Sequence, residues 1–261
     1  MRLRVLSIAL LFAACNAIAS SSEWGKVPGG QTRSAAVHVA IDSTFSGLHQ
    51  YDFAAAGIHV HYPAERARMI TTVPAWVREY EQSGVTAVVP FELDLWPGLA
   101  PLTLTCDTGG SADPNCRLLR HIDDPDHPLF EALGTDFVFT ADGHIWAYGH
   151  ADSMYDHRRL FTWNGSAFVE TPQPFRHVEM TGRTKVPIAL RAERGDQAPV
   201  TWTVPAGAGL RILLNDNSST DESGENPDYL VVTQEGLVGW AHLPSQPDGK
   251  TDVEGLYYRG D

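Results

Sequence analysis

The chain has 261 residues, of which 19 are Lys or Arg and 32 are Asp or Glu, for a net charge of −13 at pH 7. This balance excludes binding driven by clustered positive charge, so nucleic acid and acidic membrane surfaces are not expected partners. It suits a basic protein partner, and residues 34–192 alone are long enough to bury a sizeable core.

Arg2 and Arg4 precede an apolar run at residues 5–14, too short to span a bilayer as a mature helix. Ala17-Ile18-Ala19 then sets a small-x-small cleavage site before Ser20, which is the layout of a secretory signal peptide at residues 1–19. A second ending stands beside it. Leu11-Phe12-Ala13-Ala14-Cys15 is lipobox-like, with Phe12 in place of the usual leucine, and makes Cys15 a candidate acylation site. Either ending predicts an exported chain, periplasmic or secreted, or lipid-anchored through Cys15. No other segment is apolar enough for a transmembrane helix. Residues 20–33 read as a tether.

Residues 35–41, 58–62, 85–95 and 102–106 are apolar runs predicted to be strands. The helix is predicted at residues 74–82, with Pro74 in the first turn, Trp76, Val77 and Tyr80 at helical spacing, and Gly84 past the end. Cys106 and Cys116 bracket a Gly/Ser/Asp/Pro stretch, and in an oxidising compartment they are expected to form a loop-closing disulfide. Two cysteines without further ligands at close spacing do not make a metal site. Residues 136–140, 144–148, 159–163 and 166–170 predict two hairpins, joined within each pair by Asp142-Gly143 and Asn164-Gly165. Strands at 178–180 and 186–190 follow, and residues 193–197 read as a linker to a second unit.

That unit, residues 198–261, opens with alternating Val200, Trp202 and Val204, turns at Pro205 and Gly207, and continues through Leu210, Ile212 and Leu214. A second alternating pair flanks Gln234-Glu235-Gly236 and ends on Gly239-Trp240. Trp202, Leu210, Ile212, Leu214, Trp240, Leu243 and Leu256 are the predicted core. These features resemble bacterial SH3-like (SH3b) domains, in which a Pro-x-Gly turn opens the barrel and a Gly-hydrophobic-Gly-Trp hairpin closes it. The resemblance covers about 60 residues. It implies a small β-barrel that binds rather than catalyses, appended to a partner domain in a cell-envelope protein. The predicted fold class is therefore mainly β: a larger β-rich domain at 34–192, then an SH3-like barrel at 198–261.

Sequence signatures of catalysis are missing. There is no Gly-x-Ser-x-Gly elbow, no His-Glu-x-x-His, no phosphate-binding loop and no Gly-x-Gly-x-x-Gly. His59 and His61 alternate on one strand and so share a face, as two metal ligands would, but no third ligand can be placed. His144, His150 and His157 lie near Asp142, Asp152 and Asp156, and carboxylate–histidine pairs can serve as general acids or bases. Such pairs also arise by chance in an acidic, His-rich chain. Neither set is assigned as catalytic or metal-binding, and no cofactor is expected. The candidate binding residues are Trp240, Tyr229, Asp216, Asp221 and Glu222, around the long acidic loop of the tail. Trp240 reads more readily as a core or half-buried rim residue than as a ligand platform. The expected function is an exported bacterial envelope binding protein whose partner is a protein; one concrete form is an inhibitor or immunity protein against a secreted toxin or hydrolase. Peptidoglycan binding and a cell-wall hydrolase targeted by its SH3-like tail are the alternatives.

Overall fold

The computed structural model describes residues 44–70, 72–109, 113–218 and 226–260. The leader, Cys15, the tether, the strand expected at 35–41, Asp221 and Glu222 all lie outside them. The described chain is mainly β. In order it forms β1 (His49–Phe53), β2 (Ile58–Tyr62), β3 (Ala67–Met69), helix α1 (Ala75–Gln82), β4 (Ala87–Val88), β5 (Phe91–Leu93), β6 (Leu102–Asp107), β7 (Asn115–Leu119) and β8 (Phe130–Leu133). Then come β9 (Asp136–Phe139), β10 (His144–Gly149), β11 (His157–Trp163), β12 (Phe168–Glu170), β13 (Phe175–Arg183), β14 (Ile188–Arg191), β15 (Val200–Val204), β16 (Gly209–Asp216), β17 (Asp228–Thr233) and β18 (Val238–His242).

The strands form three sheets. The first runs β1-β2-β9-β10-β11-β12, with β2 and β9 parallel. The second runs β3-β5-β6-β7-β8, with β4 paired to β6. Their facing sides share one core, including Ile58, Phe91, Leu104, Leu118, Phe130 and Phe137. The expected hairpins form β9-β10 and β11-β12 as neighbours in the first sheet. Their turns need glycine: Gly143 has φ +87°, and a Cβ there would meet the Trp96 ring at 2.2 Å. Helix α1 forms where Trp76, Val77 and Tyr80 predict it; Val77 is buried, and the Trp76 indole donates to the Ile122 carbonyl at 2.8 Å.

Cys106 and Cys116 stand directly opposite on β6 and β7 and are disulfide-bonded, with Cα atoms 4.1 Å apart and both residues fully buried. Closing so short a loop is expected to contribute about 3 kcal/mol by limiting the unfolded chain. The Cys106→Ala/Cys116→Ala double variant should lose about that much in urea unfolding. Wild-type protein unfolded and refolded with reductant present should match the variant, whereas folded protein should resist reduction.

The third sheet runs β13-β16-β17-β18-β14-β15. It differs from the expected barrel in two ways. Strands β13 and β14, expected to belong to the larger unit, hydrogen-bond into it, and residues 193–197 connect β14 to β15 within one sheet rather than linking two bodies. Among the described residues the sheet stays open, because its outer strands β13 and β15 do not pair with each other. Ile212, Tyr229, Val231, Leu243 and Leu256 form its core, and Met154 and Tyr155 from the β10–β11 connection insert into the same cluster. Three predicted core residues are displaced, among them Trp240, which is half-buried. Trp202 is 54% exposed, because it lies on the outer strand β15, and Leu214 is half-buried.

Candidate functional site

A cleft of about 570 Å³ opens at one end of the third sheet. The alternation of antiparallel strands brings four segment ends together there: the start of β13, the end of β16, the start of β17 and the end of β14. The β14–β15 connection, carrying Glu193, Arg194 and Gly195, forms one wall; Asp216, Ser218, Asn226, Asp228 and Trp240 complete it.

The base is a buried polar network. Asn215, Asp216, Asn226 and Asp228 are all at least nine-tenths buried. The Asn215 amide nitrogen donates to the carbonyls of Asn226 (2.7 Å) and Asp228 (3.2 Å), while its oxygen accepts from the Tyr155 hydroxyl at 2.9 Å. Burial of this kind requires paired polar atoms, so the network fixes the geometry of the two carboxylates above it. Asp216 Oδ1 accepts from the Ser218 amide at 3.0 Å, and Oδ2 accepts from Arg194 Nη1 at 2.8 Å. Burial pushes the Asp216 carboxyl up. Hydrogen bonds from Ser218 and Arg194, with the Arg194 charge, outweigh that and hold it below its ordinary value of 3.8. Asp228 Oδ1 lies 2.8 Å from His242 Nδ1.

Trp240 lines the cleft, and Phe175 packs beside it. The rings of Phe175 and Trp240 lie 6.2 Å apart at 34°, and the Arg194 guanidinium carbon sits 6.0 Å from each ring centroid. Among the described residues the cleft thus combines three carboxylates, one guanidinium and an aromatic side chain.

Of the binding residues expected from sequence, Asp216 and Trp240 meet in this cleft, with Trp240 half-buried. Tyr229 does not join them: it is 1% exposed and packs in the core at 6.2 Å from the Tyr155 ring. Its place on β17, with Leu230 turned to the opposite face toward Trp240, sends it inward. Glu193, Arg194, Asn226, Asp228 and Phe175 are additions. Arg194 and Glu193 read as linker, and only the return of β14 beside β18 brings them to Trp240.

The histidine sets resolve differently. His59 Nδ1 lies 2.7 Å from Asp52 Oδ1, and His61 Nε2 lies 3.9 Å from the buried Asp136. Among the described residues, no group of three or more His, Cys, Asp or Glu side chains is arranged to hold a metal ion. His144 and Gly149 stand at opposite ends of β10, roughly 17 Å apart along an extended strand. His144 therefore does not join His150. His150 ties the two units instead: its Nε2 donates to the carbonyls of Ser153 (2.8 Å) and Tyr257 (3.0 Å), beside a backbone bridge between Ser153 and Arg259.

Burial lowers the His150 pKa below 6.5; the Asp156 charge and the two carbonyls oppose the shift, and Arg259 adds to it. The unfolded chain therefore binds the proton first as pH falls. Stability from neutral His150 is complete above about 6.5 and is lost as pH drops from there through the lower folded value. We expect the urea midpoint of wild type to fall between pH 7.5 and pH 5.5 by more than that of His150→Gln, whose amide can donate to the same carbonyls without titrating. Equal falls would show that His150 is not responsible.

No family model, no curated protein and no solved structure matches the chain.

Proposed function

We propose that this protein is an exported bacterial cell-envelope binding protein that engages a protein partner through the cleft of its C-terminal sheet. The single observation that carries this reading is the cleft itself: two buried, hydrogen-bonded carboxylates, Asp216 and Asp228, on a polar network beside the half-buried Trp240 ring. Such an arrangement supplies orientation and specificity with little reorganisation. The leader-like N-terminus and the tail motifs that resemble SH3-like modules support the compartment and the binding role. The net charge of −13 favours a partner with a basic face, as an inhibitor or immunity protein against a secreted toxin or hydrolase would meet.

The test is capture from envelope extract and secreted fractions with the tagged chain and with Asp216→Asn as its control. A near-stoichiometric protein, retained by wild type, lost with Asp216→Asn and released by high salt, is the expected result. Muropeptides without a protein would overturn it in favour of peptidoglycan binding. Cell-wall hydrolysis by the purified chain would overturn it in favour of a hydrolase.

A further inference from the structure

We infer that the cleft is a seat for an arginine side chain of the partner, and that Arg194 is a resident placeholder in that seat which the partner's arginine displaces. This rests on the cleft being the binding site, and names the chemistry it recognises.

The seat is complete around a guanidinium. Asp216 supplies a carboxylate whose side chain is only 3% exposed, and Nη1 of Arg194 lies 2.8 Å from its Oδ2 and 2.9 Å from the Ser218 hydroxyl. The rings of Phe175 and Trp240 flank the guanidinium carbon at equal distances. Nη1 makes both hydrogen bonds, and a lysine ammonium could make those too; what an ammonium lacks is the flat, weakly hydrated guanidinium that lies near both rings.

The occupant is held less firmly than the seat. The Arg194 side chain is 45% exposed and rises from the connection between β14 and β15 rather than from a strand. Water reaches the guanidinium side of the pair, so Arg194 can leave the carboxylate more easily than a fully buried partner could. Exchanging Arg194 for an incoming arginine replaces like with like at Asp216, so the exchange is nearly neutral in free energy. Charge favours the newcomer: Glu193 and Asp228 also line the cleft, and with Asp216 they outnumber Arg194. Arg194 thus keeps the buried carboxylate paired while the site is empty, and it lowers apparent affinity by the fraction of time it holds the seat.

The test uses the full chain and a triarginine peptide, with a tricitrulline peptide as the neutral isostere and trilysine as the charge control, measured by calorimetry at low salt. If Arg194 fills the seat about nine-tenths of the time, Arg194→Ala should bind triarginine about tenfold more tightly than wild type. Tricitrulline should not bind, trilysine should bind more weakly, and adding Asp216→Asn should abolish the gain. Arg194→Gln, which keeps a hydrogen-bonding side chain, serves if the alanine variant is poorly folded, and should show the same direction. Equal triarginine affinity in wild type and Arg194→Ala would overturn the placeholder while leaving the cleft a binding site. Weaker binding by Arg194→Ala would overturn the placeholder too and make Arg194 a ligand contact. No binding of triarginine to any variant would overturn the arginine seat, and partner capture with Asp216→Asn would then decide separately whether the cleft binds at all.

Discussion

Phe130→Ala is expected to destabilise the protein by about 4 kcal/mol, the middle of the range for loss of a buried aromatic ring. Phe130 is 2% exposed at the start of β8, and its ring makes edge-on contacts with Phe137, Phe139, Phe161 and Phe168 at centroid separations of 5.0 to 6.4 Å. All four partners belong to the first sheet, so one side chain from the second sheet locks the two layers together. Truncation removes the ring's burial and leaves a void bounded by four rings held on strands that cannot close inward independently. Phe130→Leu fills part of that void and should lose less than half as much. Urea unfolding at pH 7.5 reads both. A loss below about 1.5 kcal/mol for alanine would mean that the layers repack, and that the aromatic cluster is not what joins them.

Arg117→Met should be nearly as damaging, at about 3–5 kcal/mol, for the opposite reason. Arg117 on β7 pairs with Asp107 on β6, with side-chain exposures of 11% and 3%. Burial alone would lower the Arg117 pKa, and the Asp107 charge and hydrogen bond reverse that to a net rise. Methionine keeps most of the side-chain volume but leaves the Asp107 carboxylate buried without its counter-charge. The loss should be largely recovered in Arg117→Met/Asp107→Leu, which removes both charges. If the double variant were as unstable as the single, the damage would come from packing and not from the orphaned charge.

Much of the strand pattern was legible in the sequence because local rules governed it. Ile58 to Tyr62, the Asp142-Gly143 and Asn164-Gly165 turns and the Pro74 helix start each depend on a few neighbouring residues. The 85–95 run was read as one strand but divides into β4 and β5, since Pro90 cannot donate to a ladder. The architecture of the tail was not legible. An alternating strand looks the same on an outer or an inner position, so Trp202 reads as core although it lies on an open edge. Half of the candidate site was readable for the same reason in reverse. Trp240 and Asp216 lie in the tail that drew notice, whereas Arg194 reaches them only because β14 folds back to place Arg191 opposite Trp240. A pairing 49 residues apart in the chain has no local signature.

Met154 and Tyr155 bear on how this protein can be cut and shuffled. They leave the first sheet's β10–β11 connection to sit in the core of the third sheet, while Arg259 reaches back to Ser153 and the Tyr258 hydroxyl to Asp152. The tail is therefore not a portable cassette. A fragment beginning near residue 198 would lack β13 and β14, and would open a hole where a piece of its neighbour belongs. A recombination event that moved it to another protein would have to carry that neighbour too.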